Sequence, residues 1–157
     1  VLERALAINE RTYGRDHPDV AITLGNLGLA YNNLGDHAKA RDMLEHSLAI
    51  KERAYGRDHP EVALTLTNLG NAYRALGDNS KARDMLERAL AINERTYGRD
   101  HANVAITLHN LGQARGALGD TVEALEYLQR ALVIYERNFS LDHPYIIEAR
   151  GDIASLS

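Results

Sequence analysis

Histidine returns along this chain at a fixed interval: His17, His59, His101 and His143 are each 42 residues from the next. A row of histidines could hold a metal or titrate near neutral pH. Copies carried by neighbouring packed helices would stand roughly 10 Å apart, too far to share one ion. Each of the four precedes a stretch that reads as a helix start, and three stand directly before Pro. A loop or capping role is therefore predicted for them. His109 lies off this row and stands alone.

A second periodic set is Asn26, Asn68 and Asn110, which ends in Asp152. An asparagine amide carries an acceptor and two donors, so such a row can hydrogen-bond the backbone of an extended peptide without reading its side chains. It can equally bond a neighbouring helix and fix the stacking, and residue type alone leaves both uses open. Beside it runs an apolar row, Ile22, Leu64 and Ile106, which ends in Glu148 and could receive a peptide's side chains.

Catalytic chemistry has no comparable signal. There is no phosphate-binding glycine loop, zinc-protease helix motif or nucleophile elbow. Cysteine is absent, which removes disulfides, thiolate nucleophiles and Cys-based metal sites. Acidic residues are plentiful but form no singular pair, and the repeat breaks only at Arg115, Gly116 and the terminal unit. The expectation is a non-enzymatic protein with no cofactor and no metal. The formal net charge of −4 argues against nucleic acid or an anionic membrane as the main partner. No apolar run approaches the ~20 residues needed to cross a bilayer, and a cytoplasmic setting is expected. The chain opens at Val1 in mid-pattern without a methionine, as a fragment of a longer protein would.

The elements that position these rows follow from the repeat. Copies begin at Leu2, Leu44 and Leu86, with a diverging fourth at Leu128, giving units 2–43, 44–85, 86–127 and a partial 128–157. The first two agree at 30 of 42 positions, which no compositional bias explains. From Pro18 to Leu34, Val20, Leu24, Leu27, Tyr31 and Leu34 form the stripe of an amphipathic helix, here termed A, with Pro18 suited to its first turn. Gly35 and Asp36 supply a stop and a restart. A B helix then runs from about His37 to Tyr55, with Ala40, Leu44, Ser47 and Leu48 on its inner face. Further A helices are predicted near 60–76, 102–118 and from Pro144 to about Leu156, and residues 1–13 resemble a B helix. Asp120 and Glu123 have the spacing of a reciprocal capping box. The order is B, three A–B pairs, then A: eight helices, no strand, and antiparallel hairpins forced by short links. Gly28, Gly70 and Gly112 cost their A helices stability, so a packing reason is expected, namely room for a facing B helix with small residues at Ala5, Ser47, Ala89 and Ala131. Arg15-Asp16, Arg57-Asp58 and Arg99-Asp100 are expected to pair between neighbouring repeats.

The segment Leu24-x-x-Leu27-Gly28-x-x-Tyr31, followed by Ala40-x-x-x-Leu44, resembles the helix pair of tetratricopeptide repeats. The unit is 42 residues rather than that family's usual 34, and Gly-x-Asp-His-Pro-x-Val-Ala leading into Leu-x-Asn-Leu is similar to the repeats of kinesin light chains. The resemblance implies an all-α, right-handed superhelical α-solenoid with A helices on the concave side. It then implies a groove lined by Ile22, Asn26, Leu29, Asn33, Leu64, Asn68, Asn71, Arg74, Ile106, His109, Asn110, Gln113, Glu148 and Asp152. Repeats that clamp a C-terminal carboxylate place Lys four residues before such an Asn. Here those places hold Ile22, Leu64 and Ile106, and only Arg74 and Arg115 offer positive charge, so an apolar or mixed peptide is expected. A scaffold that binds a protein or peptide is the first reading. The second is a structural module that self-associates head to tail, because an unpartnered B helix at one end complements an unpartnered A helix at the other.

Overall fold

The computed structural model describes residues 1–157 as eight α-helices with no strand: α1 (Leu2–Tyr13), α2 (Pro18–Leu34), α3 (His37–Tyr55), α4 (Pro60–Ala75), α5 (Asn79–Tyr97), α6 (Ala102–Ala117), α7 (Thr121–Asn138) and α8 (Pro144–Leu156). No helix is long and apolar enough to cross a membrane. The boundaries fall where Gly, Asp, His and Pro placed them. Gly35 ends α2 in the left-handed region at φ 86° and ψ 2°, a conformation open to glycine at little cost. The Asp36 carboxylate accepts from the Lys39 N–H and opens α3.

The periodic histidines are caps. Nδ1 of His17, His59, His101 and His143 accepts from the backbone N–H two residues on, at 3.1 to 3.2 Å. Each ring also stacks on the aromatic residue that closes the preceding helix: Tyr13, Tyr55, Tyr97 and Phe139 in turn. One side chain thus satisfies an orphan donor and fixes the angle at which the chain enters the next A helix.

The chain divides into two compact units, Val1–Asp78 and Asn79–Ser157. In the first, α2 packs against α1, α3 and α4. Its core includes Val20, Ala21, Leu24 and Ile50, with Leu6 and Met43 against them. In the second, α6 packs against α5, α7 and α8, around fully buried Leu108, Leu111, Leu128, Ile134 and Ile146.

The interior glycines have a steric purpose, though not against the small residues expected. A Cβ on Gly28 would lie 2.4 Å from Leu44 Cγ, and one on Gly112 would lie 2.7 Å from Leu128 Cγ. Each glycine is a notch filled by a leucine of the hairpin partner. Ser47 sits elsewhere and donates to the Ala21 carbonyl at 2.7 Å.

Other expectations are corrected. Leu34, placed on the core stripe, is 80% exposed, with Val1 and Leu2 at the start of α1 beside it, whereas Leu76 and Leu118 at the same place in the repeat are 42% and 37% exposed. Leu48 is only half-buried, and the inner face of α3 continues through Ile50 and Lys51 instead. The capping box at α7 does not form. Arg115 draws both of its members away, reaching Asp120 Oδ2 at 3.0 Å and Glu123 Oε2 at 2.6 Å. Asp16 pairs with Arg53 and His46 at 3.5 and 3.6 Å, Asp100 with Arg137 at 3.8 Å, and Arg15 faces Glu10 at 3.8 Å, so at these places the pairs run to B helices rather than between members of the periodic Arg-Asp set.

Candidate functional site

In the first unit, α2 and α4 present the expected rows side by side. Ile22, Leu29 and Leu64 are 47%, 45% and 57% exposed. Asn26 and Asn33 are exposed, whereas Asn68, Asn71 and Arg74 are half-buried. Arg74 forms no ion pair. Ile22, Asn26, Leu64 and Asn68 line one pocket of about 170 Å³. That is room for a single side chain and too little for a drug-sized molecule. The side-chain amides of Asn26, Asn68 and Asn110 make no hydrogen bond within the chain. The stacking task falls to Asn32, whose Nδ2 donates to the Asn68 carbonyl at 3.1 Å while its Oδ1 faces His37 Nδ1 at 3.2 Å.

The pocket also holds a residue that the sequence reading assigned no part. Lys51 comes from the B helix α3, yet its side chain is 5% exposed and its ammonium reaches the pocket, donating to Thr65 Oγ1 at 3.1 Å and Glu61 Oε2 at 3.3 Å. It arrives past Gly25, where an added Cβ would lie 3.9 Å from Nζ. The corresponding positions in the first and third repeats are Asn9 and Asn93, which donate to Thr23 and Thr107 at 2.9 and 3.1 Å, and in the fourth Tyr135. The departure at Lys51 from the Asn–Thr bond of the first and third repeats therefore puts a buried cation under the pocket. That departure was the available signal.

The second unit treats its predicted groove residues differently. Ile106 and Asn110 are half-buried and Glu148 is exposed, but His109 is 4% exposed rather than open to a peptide along the groove. Its Nε2 lies 2.8 Å from Asp152 Oδ2, and Gln113 Nε2 donates to that oxygen at 2.8 Å and to Glu148 Oε1 at 3.2 Å. Asp152, at the end of the asparagine row, is thus engaged by its neighbours. Arg115 is also spent: besides Asp120 and Glu123 it pairs with Glu87, and offers no free charge. It occupies the register in which Tyr31 donates to Glu3 at 2.6 Å and Tyr73 donates to Glu45. Burial, then the Glu45 bond, pushes the Tyr73 hydroxyl up to about 12. Burial likewise raises Tyr135, which stands against His109.

Antiparallel helix pairs repeating every 42 residues, with a glycine notch in the A helix, define a helical-repeat protein of the all-α solenoid class. The chain belongs to the tetratricopeptide repeat family, whose pattern matches residues 1–53, 19–95 and 81–137. Among curated proteins, none matches the sequence. Among solved structures, it is similar to the kinesin light chain nearly identical TPR-like repeats of Podosopora anserina, with 28% identity over 99% of this chain and 74% of that one, at TM-score 0.80. BtubC (BKLC) from P. vanneervenii shares the fold at TM-score 0.84 and 22% identity; the match covers 99% of this chain and 62% of that one. The first TPR of Spaghetti (RPAP3), solved bound to an HSP90 peptide, has TM-score 0.66 and 23% identity over 89% of this chain and 92% of its own. The kinesin-light-chain-like subclass expected from the 42-residue period is borne out.

Proposed function

We propose that this chain is a non-enzymatic, cytoplasmic interaction module that holds an extended segment of a partner protein along its A helices. The observation that carries this reading is the set of unspent asparagine amides beside a side-chain-sized pocket. Buried or half-buried amides that bonded a neighbouring helix would be structural. Amides left with free donors and acceptors beside exposed Ile22 and Leu64 suit a ligand that brings its own backbone. The partner's apolar side chain enters between Ile22 and Leu64 while its peptide groups bond Asn26 and Asn68. Lys51 refines the mixed peptide expected from sequence. Two of its three N–H donors serve Thr65 and Glu61, so the third favours an acceptor, a carbonyl or carboxylate, at the pocket floor.

The test is a peptide-library pulldown with the parent and with Asn26→Ala plus Asn68→Ala. Both positions are polar and free of structural bonds, so helix content stays unchanged and retention of peptides falls. Equal retention by both proteins would remove the asparagine row from the mechanism.

Head-to-tail self-association is the second reading, favoured by exposed Ile8 on α1 and Ile147 on α8. Against it stands Ala154, which occupies on α8 the place that Gly28 and Gly112 hold on α2 and α6. Its Cβ fills the notch into which Leu2 of a second copy would have to fit. Static light scattering separates the two: a constant molecular mass with rising concentration is expected, and mass growth would reinstate assembly.

A further inference from the structure

Four side chains that no earlier copy carries at the same places meet on one face of the second unit. His109 stands where earlier copies have Gly25 and Thr67, and Gln113 where they have Leu29 and Asn71. Glu148 replaces Ile22, Leu64 and Ile106, and Asp152 replaces Asn26, Asn68 and Asn110. No earlier copy carries an imidazole or a carboxylate at these places, so the cluster is particular to this unit. Nε2 of His109 and carboxylate oxygens of Glu148 and Asp152 all lie within 4.8 Å of one another, although they come from different helices, α6 and α8. Neither carboxylate pairs with a lysine or arginine. Two anionic groups are therefore gathered around N–H donors from one amide and one buried imidazole, where a cation is the natural complement.

We propose that His109, Glu148 and Asp152 form a binding site for one divalent cation of the borderline class, zinc foremost. One imidazole nitrogen and two carboxylate oxygens are a zinc donor set, and zinc–ligand bonds of about 2.0 Å place tetrahedral donors about 3.3 Å apart. The present spacings, from 2.8 Å for His109–Asp152 up to 4.8 Å, bracket that value. Rotation of the Gln113 amide by half a turn exchanges its N–H donors for Oε1 as a fourth ligand. Behind the imidazole, the Tyr135 hydroxyl lies 3.4 Å from Nδ1. A proton on Nδ1 directed at that oxygen leaves the Nε2 lone pair for the metal. Magnesium and calcium prefer six or more oxygen ligands, so the nitrogen donor and the small ligand count disfavour them. Exposed Glu148 provides the entry side, and the bound ion ties α8 to α6.

The experiment uses the full chain freed of any purification tag and stripped with chelator. Zinc is titrated by calorimetry with magnesium in parallel, and cobalt by visible absorption. One zinc per chain is expected, with no comparable heat from magnesium and with visible bands for cobalt that zinc abolishes. In Glu148→Gln plus Asp152→Asn, which keeps the size of both side chains, affinity falls about tenfold or more. Equal zinc affinity in parent and double variant would overturn the site, as would only weak, multiple binding in both. Should the variant lose helix content, histidine-selective NMR of the parent decides: of seven imidazoles, His109 responds first to zinc, and a first response elsewhere refutes the assignment. Peptide retention is not read in any arm, so the outcome is independent of the groove.

Discussion

Replacing Gly28 with alanine sets two effects of known size against each other. Inside a helix, Gly→Ala stabilises by about 1 kcal/mol through the unfolded chain's entropy and backbone burial. At Gly28 the new Cβ would lie 2.4 Å from Leu44 Cγ and 2.8 Å from Cδ2, and Cγ is a branch point that cannot swing aside as a chain tip would. Ordinary carbon contacts begin near 3.5 Å, so α2 and α3 must separate by about an ångström. Overpacking on that scale costs about 1–3 kcal/mol, and the severity here places it high in the range. The expected net effect is a loss of about 1–2 kcal/mol, a fall in melting temperature of several degrees. Gly116→Ala is the internal control, because its Cβ would meet Leu156 at 3.4 Å and Ala124 at 3.8 Å, ordinary contact, leaving a gain of up to about 1 kcal/mol. The deciding measurement is a double-mutant cycle by urea denaturation followed by circular dichroism. In a Leu44→Ala background the obstructing atom is gone, so Gly28→Ala turns from destabilising to stabilising, a coupling of about 2–3 kcal/mol. The same cycle at Gly112 and Leu128, where the approach is 2.7 Å, gives a smaller coupling. If Gly28→Ala stabilises equally with and without Leu44, the notch has no steric role and the packing account fails.

His59→Ala removes the acceptor for the Glu61 N–H together with the ring stacked on Tyr55, and costs about 1 kcal/mol. His59→Asn keeps a capping oxygen and loses less; identical thermal midpoints for the two would mean that the cap contributes nothing. For Tyr73, the folded pKa of about 12 lies above the ordinary value near 10. Folding therefore favours the protonated phenol, and its contribution is complete below about pH 10 and lost as pH rises from there through 12. Urea midpoints from pH 9 to 12 should fall more steeply for the parent than for Tyr73→Phe, and parallel curves would contradict the assignment.

The helices were legible in the sequence because their punctuation is chemical and local. A His-Pro start, an aspartate cap and a glycine stop act through the backbone within a few residues; α2 and α3 begin and end, and α8 begins, where those residues dictate. Periodicity was less informative at the ends and across hairpins. Leu34 fits the stripe by spacing yet is left largely exposed, more so than Leu76 and Leu118 at the same place in the repeat. Gly28 was identified as a contact point, yet its partner is Leu44 rather than Ser47, because facing residues depend on how deeply two helices interlock. Long side chains were the least legible. Lys51 threads from a B helix to the A-helix pocket, and Arg115 reaches three carboxylates, taking Asp120 and Glu123 from a capping box that their spacing alone predicted. His109, Glu148 and Asp152 were expected among the groove residues, His109 alone and the other two as members of separate rows. Their mutual engagement required the distance between α6 and α8, which no single sequence contains.

The glycine–leucine joint has an evolutionary corollary. Its two members recur with one and the same phase, Gly28 before Leu44 and Gly112 before Leu128, so inserting or excising a whole 42-residue cassette at any point between them supplies an equivalent leucine. Unequal recombination can therefore lengthen or shorten such an array without a compensating mutation, and tracts as alike as Leu2–His17 and Leu86–His101 are the substrate on which that process acts.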